Sequence, residues 1–376
     1  MDSIELYTVA LVIVGFWVSI YILSKAFNFK RFNLELKPFY LLWKTERLNK
    51  LLRKIAQVSP RLWRILGSVG VAMGVGLQIY ALYFISQNLL SFIFVPQSAS
   101  PLVPIVPGIT ISLYWVPYLL VGLAINLAVH ELAHGISAQV EGIPIRSSGL
   151  FFFILFPGGF VEPDEDVLSK SKMISKLRVL AAGSSSNLII GVIVFLLTTS
   201  MYAPPSGILI TGVVQGGGAE KAGIMAGDII YSINGTVTKD IGALYYYING
   251  VKPGQVLVLD TDRGTVPLTT SQDPTNSSRA FIGIQRDNYL PSALDVFGHI
   301  VSYEAFNSLN WTFIVALSVA ILNMLPVYYL DGDGFLGSAL EKYVPRKKEK
   351  IRSAISMIFL AILVLNIGLS LLKLYL

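Results

Sequence analysis

The sequence predicts an α-helical polytopic membrane protein of about six transmembrane helices, with a small soluble αβ domain inserted between the fourth and the fifth. Three observations carry that prediction. Of the 376 residues, 53% are hydrophobic and 14% charged, and the mean hydropathy is +0.63, too apolar for an ordinary soluble domain. Six apolar runs are each long enough to cross a bilayer as a helix, which takes about 20 residues. Residues 203–287 break that pattern, because glycines punctuate short β-branched runs and nothing there is long enough to span. Composition also excludes some chemistry. With no cysteine in the chain, disulfides, thiolate metal sites and a cysteine nucleophile are ruled out. The net charge of +6 comes from basic residues beside apolar runs, a mark of membrane topology and not of a nucleic-acid partner.

Residues 1–112 hold two transmembrane helices joined by a basic loop. Asp2 and Glu5 precede the apolar run 6–23; a signal peptide would start basic and end at a small-residue cleavage site, so this run reads as a retained first span. The stretch 25–64 carries eleven basic residues against Glu35 and Glu46, which places it on the cytoplasmic side. Its Trp43, Trp63 and leucine pairs suggest an interfacial amphipathic piece, the alternative being a solvated linker. A second span covers 65–95, and the uncharged, proline-containing stretch 96–112 is an outer loop.

Residues 113–202 contain the third span, 113–140, a charged turn, 163–172, and the fourth span, 177–199. Between them lies the apolar stretch 143–161, with Phe151-Phe152-Phe153 and Phe156-Pro157-Gly158-Gly159-Phe160-Val161. It is too short to span as a helix and too apolar for water, which fits a re-entrant strand or hairpin. The soluble domain, 203–287, follows. Residues 288–340 comprise a linker with Pro291 and His299 and the fifth span, 309–330. Residues 341–376 hold a basic loop and the sixth span, 354–372. This alternation puts every short basic loop inside, and both termini and the soluble domain outside the cell membrane.

The third span contains His130-Glu131-Leu132-Ala133-His134. Positions four apart share a helix face, so the two imidazoles can reach one metal ion. Glu131 stands beside them, where it can take a proton from water. Each of these groups costs roughly 2.5–3.5 kcal/mol in a bilayer when charged, which favours a site over a polar patch that merely joins helices. A catalytic zinc usually takes three protein ligands and keeps one open position. His299 is the only other histidine and lies at the wrong depth, so the third ligand is a carboxylate or an amide. Asp331, just past the fifth span, and Asp333 are the candidates. Asp331 is nearer the span, and the third and fifth spans both run inward, which brings His134 and Asp331 to one depth. Asn187 lies about ten residues into the fourth span, roughly 15 Å along a helix. There its amide can hold a substrate carbonyl or an oxyanion; the small residues before it also suit close helix packing.

Together these pieces resemble the site-2 proteases, a family of intramembrane zinc metalloproteases. The resemblance rests on His130-Glu131-Leu132-Ala133-His134, Pro157-Gly158-Gly159-Phe160-Val161, Gly183-Ser184-Ser185-Ser186-Asn187, and Asn323-Met324-Leu325-Pro326 leading to Leu330-Asp331-Gly332. It implies one zinc ion per chain, held by His130, His134 and Asp331, with Glu131 as the catalytic base. It also implies that Gly158, Gly159 and Phe160 lie beside an unwound substrate whose backbone Asn187 and Asn323 approach. The chain departs from the family in two places. Ser184 stands where a proline often follows the glycine, and the Asn-Pro-Asp-Gly form is loosened to Asn323-x-x-Pro326 and then Leu330-Asp331-Gly332.

Residues 203–287 resemble a PDZ domain of the protease-associated kind, through Gly212-Val213-Val214, Ala219-Glu220-Lys221-Ala222-Gly223-Ile224, Gly227-Asp228-Ile229-Ile230 and Ile233-Asn234-Gly235. Phe281-Ile282-Gly283-Ile284 is either its carboxylate-binding loop or its last strand. The function implied is hydrolysis of peptide bonds in membrane-spanning protein substrates within the lipid bilayer, after an earlier cut on the extracytoplasmic side. The active site would lie near the cytoplasmic face, with the PDZ domain as a substrate filter. The alternative is a catalytically inactive, membrane-anchored PDZ scaffold, which needs neither Glu131 nor Asp331.

Overall fold

The computed structural model describes residues 3–45, 47–154 and 156–375; Asp2 and Glu46, which enter the charge pattern, lie outside them. The chain divides into two compact units, Met1–Ile193 with Trp311–Leu376, and Val194–Asn310. The first unit begins with α1 (Ser3–Ala26), β1 (Leu34–Lys37), β2 (Tyr40–Lys44), α2 (Arg47–Val58) and α3 (Pro60–Phe94). Proline suits the first position of α3, where a backbone N–H has no intrahelical acceptor. Then come α4 (Val116–Val140), β3 (Ile145–Phe153), β4 (Phe156–Pro163), the short α5 (Glu165–Lys170) and α6 (Met173–Met201).

Strands β1 to β4 form one antiparallel sheet in that order. The hairpin expected at 143–161 is therefore part of a larger sheet. Of the amphipathic piece expected within 25–64, the leucine pair Leu51-Leu52 lies on α2, while Trp43 pairs on β2 opposite Leu150 and Trp63 belongs to α3. Apolar partners on β3 explain the pairing: the rings of Tyr40 and Phe151 stack with centroids 5.7 Å apart. Helix α1 is fastened to the same sheet, since Trp17 Nε1 donates to the Ile154 carbonyl at 2.9 Å.

The second unit carries β5 (Gly207–Val213), α7 (Gly218–Lys221), β6 (Ile229–Ile233), β7 (Thr236–Val237), α8 (Ile241–Ile248), β8 (Val256–Thr261), β9 (Gly264–Thr269), β10 (Ser271–Gln272), β11 (Ala280–Phe281) and β12 (Ile284–Tyr289). Its main sheet runs β12-β5-β6-β8-β9, with β7 paired to β6. Alternation along β8 turns Leu257 and Leu259 inward, as a half-buried strand requires. There they meet Ile208, Ile210, Ile230, Ile233 and Leu244. This is the αβ domain expected at 203–287, with a last strand that reaches Tyr289. Phe281 ends β11 and Ile284 starts β12. Gly283 links them at φ +83°, and its carbonyl accepts from the Val214 N–H at 2.9 Å.

Helices α9 (His299–Leu322), α10 (Asp331–Tyr343) and α11 (Lys348–Tyr375) complete the chain. The helix expected at 309–330 instead runs from His299 to Leu322. Pro326 accounts for the stop, because it has no N–H to return to the Leu322 carbonyl. The link 323–330 is irregular, with Tyr329 at a left-handed φ of +72°, and Asp331 opens α10. Among the described residues, five helices are long and apolar enough to cross a membrane, and Ala10–Ala26 of α1 is a shorter apolar helical stretch.

Candidate metal centre

His130 and His134 lie one turn apart on α4 and face the same way. Their Nε2 atoms are 3.1 Å apart. Asp331 Oδ2, from the start of α10, lies 3.1 Å from His134 Nε2 and 3.4 Å from His130 Nε2. Among the described residues this is the one group of three or more such side chains close enough to share an ion. Four tetrahedral ligands bound at the distances usual for zinc stand about 3.3 Å from one another, so the triangle matches one face of such a shell. The donor set of two imidazoles and a carboxylate suits zinc as well.

The surroundings decide which ring atoms carry protons. The Val179 carbonyl of α6 lies 2.7 Å from His134 Nδ1 and can only accept, so Nδ1 is protonated and Nε2 keeps its lone pair. Asn187 stands 3.2 Å from His130 Nδ1. Asn323 Nδ2, a donor, lies 3.2 Å from His130 Nε2, so Nε2 accepts and Nδ1 carries the proton. Turning the Asn187 amide over lets its Oδ1 accept from His130 Nδ1–H and leaves His130 Nε2 as the second lone pair. Asn323 Nδ2 donates to Asp331 Oδ2 at 2.7 Å and aims the carboxylate. The link holding Asp331 is itself fixed to α3, because Gln78 Nε2 donates to the Gly332 carbonyl at 2.7 Å.

Glu131 points toward the sheet, where its Oε2 accepts from the Val161 N–H of β4 at 2.8 Å. Gly159 makes this approach possible, as a Cβ there would sit 3.3 Å from Glu131 Cγ. A cavity of 880 Å³ opens beside these groups, lined by His130, Glu131, His134, Asn323 and Asp331 together with Gly159, Phe160 and Val161 of β4. Strand β4 pairs only with β3 among the described strands, so its other edge carries no strand, and there the Val161 N–H is taken by Glu131.

Two sequence expectations are altered here, and one alternative is set aside. Asn187 is fully buried and touches His130 instead of the cavity; its depth matches the motif, but the rotation of α6 turns the amide to the imidazole. Gly158 is not in the cavity wall, and a Cβ there would strike the Phe151 ring of β3 at 2.1 Å. Asp333, the rival third ligand, instead receives Arg352 Nε at 3.0 Å in a two-point ion pair. The sequence placed Gly183 in a motif without showing its part in the site. A Cβ at Gly183 would lie 2.4 Å from both His130 Cε1 and His134 Nε2, so its bare backbone lets α6 press against the histidine pair. A glycine in mid-helix costs up to about 1 kcal/mol relative to alanine, and that cost was the available signal.

A model of peptidase family M50 matches residues 118–365, a range that contains all four polar groups of the centre. An uncharacterized protein of Methanocaldococcus jannaschii is 25% identical over 362 residues, which is 95% of this chain and 91% of that protein. The membrane-bound transcription factor site-2 protease homolog of Arabidopsis thaliana is 34% identical over 120 residues, 31% of this chain and 23% of that protein. Among solved structures, the PDZ domain of the SdrC-like protein of Listeria monocytogenes aligns at 22% identity over 22% of this chain and 87% of that one, with a TM-score of 0.20.

Proposed function

Because this chain belongs to peptidase family M50, we propose that it is an intramembrane zinc metalloprotease of the site-2 type, hydrolysing peptide bonds of membrane-spanning proteins. The observation that carries this reading is the meeting of His130, His134 and Asp331 beside Glu131 at a cavity wall. Zinc bound there supplies Lewis acidity toward a peptide carbonyl and toward water. His130, His134 and Asp331 hold it, and Val179, Asn187 and Asn323 keep the three donors unprotonated and aimed. Glu131 takes the proton of the attacking water and passes it to the leaving amine. Its Oε2 is engaged by the Val161 N–H, so Oε1 is the oxygen that receives the proton. A helical substrate hides its carbonyls in internal hydrogen bonds and must unwind first. The edge of β4 that carries no strand suits the extended peptide that results, which can add as a strand.

The PDZ-like domain is inserted between α6 and α9, the two helices that lead to Asn187 and to Asn323. Tethered at both ends to the centre, it acts as a filter that excludes substrates with bulky folded outer portions and admits those already cut. The positive-inside pattern places this domain and both termini outside the cell membrane, with the metal centre toward the cytoplasm. The test is metal content of the purified protein together with cleavage of a model transmembrane peptide. One zinc per chain is expected, with cleavage lost to a chelator and restored by zinc. Folded, zinc-loaded protein that cuts no such peptide would fit a membrane-anchored scaffold instead.

A further inference from the structure

The face of α4 turned away from His130 and His134 borders a separate cavity of 340 Å³. Val69 and Met73 of α3, Leu132 and Ile136 of α4, and Ala182 and Ile189 of α6 form its walls. Ser185 and Ser186 also face it, but their hydroxyls donate to their own helix, to the carbonyls of Ala182 at 3.1 Å and Gly183 at 2.7 Å. One end differs. Trp63 lines the cavity while its Nε1–H turns aside to the Ile55 carbonyl at 3.0 Å. Arg64 lies next to it and reaches the Val140 carbonyl at 3.4 Å and Glu141 at 3.9 Å. Arg178 donates to Ser68 Oγ at 2.9 Å and to Glu141 at 2.8 Å, and its stem runs along the cavity-lining Gly67, 3.3 Å from where a Cβ would stand. Arg61, nearly one turn before Arg64, is exposed and has no ion pair among the described residues. Two guanidinium groups thus share one carboxylate, and the third has none.

We propose that this cavity holds one acyl chain of an anionic phospholipid whose phosphate lies against Arg61, Arg64 and Arg178. The apolar walls fit a hydrocarbon chain. The unneutralised arginines match a negative headgroup, and a tryptophan at the junction of apolar wall and basic rim marks the depth at which headgroups lie. The inference needs only a membrane-spanning chain and is independent of proteolysis. It bears on the metal centre all the same. Leu132 and Ala133 alternate along α4 with Glu131 and His134, and Ala182 precedes Gly183 on α6, so a bound chain braces from behind the two helices that form the histidine cradle.

The experiment uses the full chain in detergent with equal amounts of phosphatidylglycerol and phosphatidylcholine carrying identical acyl chains, read by native mass spectrometry. Phosphatidylglycerol should be enriched by about fivefold for each unneutralised arginine. Arg64→Gln should lower that enrichment by about the same factor, and Val69→Trp should lower retention of both lipids by filling the cavity. Equal retention of the two lipids by the unaltered protein overturns the proposal, as does wild-type retention by Val69→Trp. A second measurement needs no variant. Phosphatidylglycerol with a diazirine at its acyl end should crosslink to Val69, Met73, Ile136 and Ile189. Adducts spread evenly over all apolar helices overturn the site, and displacement of the adducts by the model transmembrane peptide assigns the cavity to polypeptide.

Discussion

Gly183→Ala should empty the metal centre while leaving the fold nearly intact. The added Cβ would stand 2.4 Å from His130 Cε1 and His134 Nε2 and 2.5 Å from His130 Nε2, whereas ordinary contact begins at 3.4 Å. Either the imidazoles withdraw by about 1 Å, beyond the roughly 0.2 Å tolerance of metal–ligand distances, or α6 retreats by as much and takes Val179 and Asn187 away from the imidazoles they hold. Altering a group that supports metal ligands costs about 10–100-fold in affinity, and a displacement of this size belongs at the upper end. Stability should move far less. Overpacking costs about 1–3 kcal/mol, and alanine recovers about 1 kcal/mol of helix propensity over glycine. Gly191→Ala on the same helix is the control. Its tightest contact would be the end of a side chain, Leu317 Cδ2 at 3.1 Å, so metal content should be unchanged. The assay is zinc stoichiometry and affinity beside thermal unfolding for both variants. Wild-type zinc affinity in Gly183→Ala would refute the reasoning, because it would mean that neither the imidazoles nor the α6 groups that hold them need their present places.

Glu131→Gln should retain zinc and lose cleavage, since the amide cannot accept a proton from water; near-normal turnover would remove Glu131 from the mechanism. Asp331→Asn should lower zinc affinity, a neutral amide being the poorer ligand, whereas Asp333→Asn should keep zinc and cost about 1–3 kcal/mol of stability by weakening the charged hydrogen bonds to Arg352, which keeps Glu349 at 3.8 Å. The opposite pattern of metal loss would exchange the two aspartates. Replacing residues 206–286 by a short Gly/Ser bridge should leave cleavage of a trimmed peptide intact and raise cleavage of a substrate that keeps a folded outer domain. Equal loss of both, in folded zinc-loaded protein, would mean that the domain builds the active site. Cysteine at exposed Lys239 should react with an impermeant thiol reagent added outside intact cells, and cysteine at exposed Lys347 should not; the chain's lack of cysteine keeps the label specific, and the reverse pattern would invert the topology.

What the sequence disclosed and what it hid divide along a physical line. Features that a local period or a run length fixes were legible. The spacing of His130 and His134 follows from helical pitch alone, and the membrane helices follow from apolar runs that water would not tolerate. The domain at 203–287 announced itself by glycine-punctuated short strands, and alternation along β8 puts Leu257 in its core. Contacts between distant segments were not legible in this way. Strands β1 and β2 carry Glu35, Lys37 and Lys44 and read as part of a basic loop; only β3, more than a hundred residues later, supplies the partner that makes them strands. Asn187 was placed at the right depth, yet depth is one coordinate of a helix and rotation is the other. Rotation is set by which face α6 buries, and Gly183, with no side chain to hold the helices apart, sets it here. The choice between Asp331 and Asp333 turned on proximity to the span, but the structure separates them by their partners. Asp333 meets Arg352 of α11, and Asp331 meets the histidines because α9 stops at Leu322 and the link held by Gln78 returns the chain. Two residues apart at the start of one helix, the aspartates project in different directions, so a single turn of backbone assigns one to an ion pair and the other to the metal centre.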